Sequence, residues 1–201
     1  MTSFIQDSLK ARSRILQTAL QGTRPHMQGL RNSVDRRAMP SEFVLNGPAR
    51  LAMSYVDSTG VSWLSDRHFA GGSQLQRALA SVGTDRPRLY QWERYGRFSH
   101  YLPVVEGKTY NIRLYFSEGY FGRDKLVSGD PGSRIFDVFA NGHTLLRNFD
   151  ILSEASPGHD PVVKTFSGIE PLNDGVIELE FQPIHDYALM NAIEVTQEDP
   201  R

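Results

Sequence analysis

The 201-residue chain contains no cysteine, so no disulfide can staple it and no thiolate can hold zinc. That fits a reducing compartment without demanding one, and the compartment stays undefined. Long apolar runs are missing too. Met1 to Leu20 scatters polar and basic residues throughout, with no signal-like apolar stretch, and nothing downstream approaches the roughly 20 apolar residues of a spanning helix. The expectation is a soluble chain without a membrane span, compatible with a piece of a larger parent carrying an upstream domain. Net charge is nearly absent at −1, which speaks against nucleic acid as the main partner. There is no Gly-x-Ser-x-Gly elbow, no phosphate-cradling Gly-x-x-x-x-Gly-Lys loop and no Gly-x-Gly-x-x-Gly fingerprint. The histidines at 26, 68, 100, 143, 159 and 185 form no His-x-x-x-His or compact ligand set. No metal and no cofactor is expected.

What charge there is lies unevenly. Before Phe43, Lys10, Arg12, Arg14, Arg24, Arg31, Arg36 and Arg37 face only Asp7, Asp35 and Glu42. Ile5, Leu9, Leu16 and Leu20 recur at near-helical spacing, and Met27, Leu30 and Val34 repeat the pattern after Pro25, predicting two short amphipathic helices. Residues 1–43 therefore read as a basic helical leader or linker, and residues 44–198 as one domain.

In that domain, short apolar runs alternate with Gly, Pro, Asn and Asp, the rhythm of an all-β, jelly-roll-like antiparallel β-sandwich. Strands are expected at Arg50 to Val56, Leu89 to Trp92, Phe98 to Leu102, Tyr110 to Phe116, Ile135 to Ala140, Thr144 to Leu146, Val162 to Phe166, Val176 to Phe181 and Leu189 to Thr196. Asn141-Gly142 and Asp174-Gly175 are hairpin signals. Gly71-Gly72-Ser73 reads as a loop, and Gly122 to Arg134 as a long, exposed, mobile hairpin connection.

Tyr110, Ile112, Leu114 and Phe116 share one face of a half-buried strand, and Tyr120 and Phe121 follow just past its end. Two large aromatics at a strand-to-loop exit either close the core or meet a ligand. Trp63 and Trp92 are assigned to the core. Asp137, Asp150 and Asn191 read as groups that satisfy backbone at strand ends. Glu93, Glu118, Asp137, Asp150 and Asp186 could in principle supply a glycosidase pair, with Glu93 and Asp186 foremost, but solvated or structural roles are favoured.

The pattern Tyr55-x-Asp57-x-x-Gly60-x-x-Trp63-x-x-Asp66-x-x-Phe69-x-Gly71-Gly72, then Leu89-Tyr90-Gln91-x-Glu93-Arg94-Tyr95 and Phe98, then Tyr115-Phe116-Ser117-Glu118-x-Tyr120-Phe121, resembles the malectin and malectin-like carbohydrate-binding domains. Phe136-Asp137-Val138 with Asn141-Gly142, Asn148-Phe149-Asp150-Ile151 and Asn191-Ala192-Ile193-Glu194-Val195 continue the resemblance, which covers Ala49 to Thr196. It implies a galactose-binding-like β-sandwich that binds an oligosaccharide or glycan at one end through loop aromatics, without catalysis. The family's sugar-contacting positions fall on Tyr95, Tyr120, Phe121 and Asp186. A further aromatic contact of the family aligns near Ser73, where this chain has none. Flat aromatics suit the C–H faces of a pyranose, and a carboxylate suits its hydroxyl rim, with Glu93 as a lesser candidate for that acceptor role. The Ser73 departure leaves an alternative, a protein-interaction or sensor domain that keeps the sandwich without the sugar.

Overall fold

The computed structural model describes residues 42–45, 55–77, 84–122, 126–155 and 161–199. The two leader helices, and most of the strand expected from Arg50, lie outside the described residues. Twelve strands carry the fold: β1 (Glu42–Leu45), β2 (Tyr55–Val56), β3 (Ser62–Trp63), β4 (Phe69–Gln76), β5 (Trp92–Pro103), β6 (Tyr110–Phe116), β7 (Ile135–Ala140), β8 (His143–Phe149), β9 (Val162–Ile169), β10 (Val176–His185), β11 (Ala188–Met190) and β12 (Ala192–Gln197). A 3-10 turn at Pro87–Tyr90 and one helical turn, α1 (Ile151–Glu154), interrupt them. One sheet has the order β1-β12-β6-β9; the other runs β11-β5-β10-β7-β8, with β4 on the outer side of β5; β2 and β3 form a ribbon. Every strand pair is antiparallel. This is the all-β sandwich that the alternation predicts.

The core consists of the inward alternates of both sheets. Ile112, Leu114 and Phe116 of β6 and Ile193 and Val195 of β12 belong to one buried cluster with Leu102, Leu179, Phe181, Phe136 and Val138 from the opposing sheet. Phe98 and Phe181 stack at 4.5 Å between ring centroids, and Phe116 lies 4.9 Å from Phe149. Burial of this kind stabilises by about 25 cal/mol per Å² of apolar surface, so these rings dominate the fold energetics. A second cluster holds Trp63, Leu89, Tyr90, Tyr115 and Ala192. It explains why Tyr115, on the opposite face of β6, is buried. Trp63 is core as expected, whereas Trp92 is only half-buried.

Several expectations are corrected. Leu89 and Tyr90 sit in the 3-10 turn rather than a strand, because Pro87 at its start presets helical φ and cannot donate to a ladder. Gly71-Gly72-Ser73 lies inside β4, where a register shift between Gly71 and Ser73 marks a bulge against β5. The last predicted strand breaks at Asn191 into β11 and β12, which belong to different sheets. Asn141 (φ 51°) and Gly142 (φ 81°) do form the tight turn of the β7–β8 hairpin. Asp174-Gly175 does not join a hairpin. It turns the chain from β9 in one sheet to β10 in the other, as Gly122 to Arg134 does between β6 and β7. Among the described residues, no helix is long and apolar enough to cross a membrane.

Candidate functional site

Two chain reversals at one end of the sandwich bring the predicted residues together. The first follows β6. Glu118 is buried, and its Oε1 accepts the backbone N–H groups of Tyr120 (2.9 Å) and Phe121 (3.2 Å). This carboxylate is why two aromatics hold their place beyond the strand: it satisfies donors that the ladder no longer reaches. The two rings meet edge to face at 4.9 Å, both half-buried.

The second reversal interrupts the line of strands beside β5. Phe181 of β10 pairs with Phe98 and Ala188 of β11 pairs with Gly96, so residues 182–187 leave β5 and return with almost no advance along it. Asp186 sits in this excursion with φ 57°, a left-handed conformation that costs a non-glycine residue about 1 kcal/mol. Tyr187 follows it, and its ring meets Tyr95 of β5 edge to face at 5.7 Å.

Arg134, at the start of β7, ties the two reversals. Its guanidinium donates Nε to Glu118 Oε2 at 2.5 Å and Nη1 to the Tyr187 carbonyl at 2.5 Å, while Nη2 lies 3.6 Å from Asp186 Oδ2. It also lies over the Phe121 ring, 5.3 Å from the centroid. Arg134 and Glu118 side chains are only 5% and 1% exposed, whereas Asp186 retains 26%. The one carboxylate of this cluster that meets water is thus the one expected to take sugar hydroxyls. Burial pushes the Asp186 carboxyl above its ordinary value, helped by the Glu118 charge and opposed by Arg134 and the Tyr187 N–H.

Glu93 does not serve as a free acceptor. It is buried, and both its oxygens accept from Arg77, at 2.7 and 2.6 Å, in a bidentate pair. Burial raises its carboxyl, with Arg77 opposing the shift. The stem of Arg77 lies against Gly119, where an added Cβ would fall 2.5 Å from Arg77 Cδ, so this pair underlies the lip from the β4 side. Glu118, Asp150 and Asp137 are structural as well. Asp150 caps α1 through the N–H of Leu152 and Ser153, and Asp137 accepts the Asn148 N–H at 2.7 Å. Asn191 Oδ1 accepts the Ser117 N–H at 2.7 Å, and its Nδ2 donates to the Trp92 carbonyl at 2.9 Å.

Tyr120, Phe121 and Asp186 therefore belong to one bonded cluster, with Tyr95 joined to it through Tyr187. Arg134, Arg77 and Tyr187 were not singled out in the sequence. Tyr187 had a signal, an aromatic beside a candidate acidic contact. Arg134 had none, since its partners lie 16 and 53 residues away.

A family model described as the malectin domain matches residues 49–199. The chain belongs to the malectin domain family. Its relatives include a probable LRR receptor-like serine/threonine-protein kinase from Arabidopsis thaliana, 40% identical over 86 residues that make up 42% of this chain and 8% of the kinase. Malectin-B from Xenopus laevis is 34% identical over 79 residues, 37% of this chain and 26% of Malectin-B. The chain thus covers about a quarter or less of these relatives. Among solved structures, the ANX2 ectodomain from Arabidopsis thaliana superposes with a TM-score of 0.65 at 21% identity, covering 79% of this chain and 42% of that one. A Bacteroides uniformis beta-glucuronidase does so at 0.61 and 17%, covering 79% of this chain and 18% of the enzyme. At such identities these likenesses show the fold alone.

The malectin motifs now have physical reasons. Asp57 accepts from Thr59, Val61 and the Trp63 indole, Asp66 from Gln74, Arg94 and His100, and the Arg94 guanidinium lies over Phe69 at 3.3 Å. The protein is a lectin-like β-sandwich of a carbohydrate-binding family, and the residues that carry the resemblance are largely the ones that build its frame.

Proposed function

We propose that this malectin domain is a non-catalytic carbohydrate-binding module, with Tyr95, Tyr120 and Phe121 offering aromatic surface to sugar faces and Asp186 accepting hydroxyl hydrogens. The observation that carries the reading is the Glu118–Arg134 pair, which holds the Tyr120-Phe121 lip and the Asp186 turn in one rigid frame. A site of this kind needs fixed backbone and adaptable solvent-facing groups, and the three partly open aromatics and one partly open carboxylate are those groups. What supports the non-catalytic part of this reading is how the neighbouring carboxylates are committed: among the described residues, Glu93 is paired with Arg77 and Glu118 with Arg134, so neither is a free partner to Asp186 for glycoside hydrolysis.

Burying about 100 Å² of apolar surface per aromatic contributes on the order of 2.5 kcal/mol before ordering costs, so two or three contacts predict a Kd of roughly micromolar to millimolar. The test is a glycan-array screen with calorimetry on the best hit, for wild type and Tyr120→Ala, with circular dichroism to show that both fold. Binding by wild type that falls at least ~10-fold in the variant supports the lip as the site. Folded wild type that binds no glycan overturns the reading in favour of a protein partner.

A further inference from the structure

We infer that Tyr187 is a further ligand-contacting residue, forming with Tyr95 an aromatic corner beside Asp186 and offering its hydroxyl to the sugar rim. The inference rests on the carbohydrate-binding reading and adds to it a residue outside the positions that carry the resemblance.

Three observations lead there. Tyr187 is among the few large apolar side chains left exposed, at 37%, and it occupies the excursion between β10 and β11 rather than a regular strand face. Its surroundings are rigid. The carbonyl is held by Arg134 Nη1, the preceding residue is fixed at φ 57°, and His185 Nδ1 lies 2.6 Å from the Gly132 carbonyl, so the whole excursion is bonded to the loop that precedes β7. A rigid backbone that presents an open aromatic loses little entropy when a ligand settles on it.

The third observation is an unused polar group. Among the described residues, the Tyr187 hydroxyl makes no hydrogen bond, although the ring packs against Tyr95. A tyrosine hydroxyl both donates and accepts, the bonding pattern of a sugar hydroxyl. On the same side of the ring pair, Ser73 is the residue of β4 opposite Tyr95, and it is small and exposed. Gly71 and Gly72 precede it in β4, so no side chain reaches the corner from that side of Ser73. Where this strand leaves the position beside Tyr95 open, Tyr187 supplies aromatic surface from the other flank.

Calorimetry with the best glycan from the array tests this on Tyr187→Ala and Tyr187→Phe, each with a thermal melt, alongside wild type and Tyr120→Ala. Tyr187→Ala is expected to weaken binding about 10- to 50-fold through lost contact area, and Tyr187→Phe about 3- to 10-fold through one lost hydrogen bond, with the melt of the latter unchanged. The phenylalanine variant separates contact from support, because it keeps the packing on Tyr95 and removes only a group that no atom of the described residues uses. Wild-type affinity in Tyr187→Phe, or affinity within twofold of wild type in Tyr187→Ala, overturns the inference while Tyr120→Ala still reports on the site. Wild type that binds no glycan at all overturns the carbohydrate reading, and this inference with it.

Discussion

At the scale of single residues, buried and half-buried carboxylates do most of the organising, and the protonation of two half-buried ones gives the first predictions. Asp57 accepts hydrogen bonds from the Thr59 N–H, the Val61 N–H and the Trp63 indole, and Arg86 lies 3.6 Å away. Burial alone would raise its carboxyl, but these bonds outweigh that effect and lower it from 3.8 to about 2. A carboxyl lowered on folding stabilises the fold above its unfolded value and loses that contribution as pH falls from about 3.8 through about 2. Asp57→Ala removes the acceptor for several donors at once and is expected to cost about 2–3 kcal/mol at pH 7, with a smaller difference at pH 2. Urea denaturation at the two pH values measures it, and equal losses at both would refute the assignment. Asp186 has the opposite sign. Burial raises its carboxyl above 3.8, so the ionised form is penalised in the folded state at neutral pH, and the penalty disappears as pH falls through the raised value. By this sign the Asp186 charge does not add to the stability of the fold at neutral pH. Asp186→Asn should leave the melting temperature unchanged or higher while weakening glycan binding roughly 10-fold, as expected for a charged acceptor. Wild-type affinity should fall as pH is lowered through that raised value, and the Asn variant should show a flatter profile by calorimetry.

At the scale of elements, β4 and β5 set the geometry of the site. Gly71 and Gly72 both have positive φ, and a Cβ at Gly71 would stand 2.7 Å from the Arg97 carbonyl. Backbone cannot yield as a side chain does, so two strands meet here at a distance only glycine permits. Gly71→Ala is expected to destabilise by about 2–4 kcal/mol, against about 1 kcal/mol for Gly107→Ala, where φ is also positive but the space is open. Chemical denaturation of the pair separates close approach from conformational strain; equal losses would mean that only φ matters. The same bulge shows what the sequence conveys and what it hides. Alternation made β6, β7 and the first six residues of β10 legible, because one face of each is dry. Glycines at 71 and 72 carry no apolar signal, so a strand bonded along β5 reads as a loop. Asp174-Gly175 signals a tight turn truthfully, but turn chemistry is local and does not say whether the next strand joins the same sheet. The candidate aromatics stood out in the sequence because two rings follow a strand. Their anchor in Glu118, and the tie from Glu118 through Arg134 to Tyr187, depend on contacts between distant parts of the chain that no spacing reveals.

At the scale of the molecule, the Glu118–Arg134 pair joins the exit of the four-stranded sheet to the β10–β11 excursion of the other, so stability and the proposed recognition site share one connection. Both side chains are almost fully buried, and such a pair contributes little net stability because desolvation offsets the attraction. Removing one partner is another matter. Arg134→Met leaves Glu118 buried without its partner, and frees the Tyr187 carbonyl and the flank of Asp186 at once, for an expected loss of about 3–5 kcal/mol. The double variant Glu118→Gln/Arg134→Met removes both charges. It should regain part of that stability, since a neutral amide is cheaper to bury and its oxygen can still accept from the Tyr120 and Phe121 N–H groups. Affinity should not recover in parallel, because nothing then holds the Asp186 turn against the lip. A double-mutant cycle run both by denaturation and by glycan calorimetry resolves the two roles. Coupling that is large in stability, with affinity restored in the double variant, would mean that the pair only neutralises itself; stability regained while binding stays weak would mark Arg134 as the residue that sets the spacing of the two halves of the site.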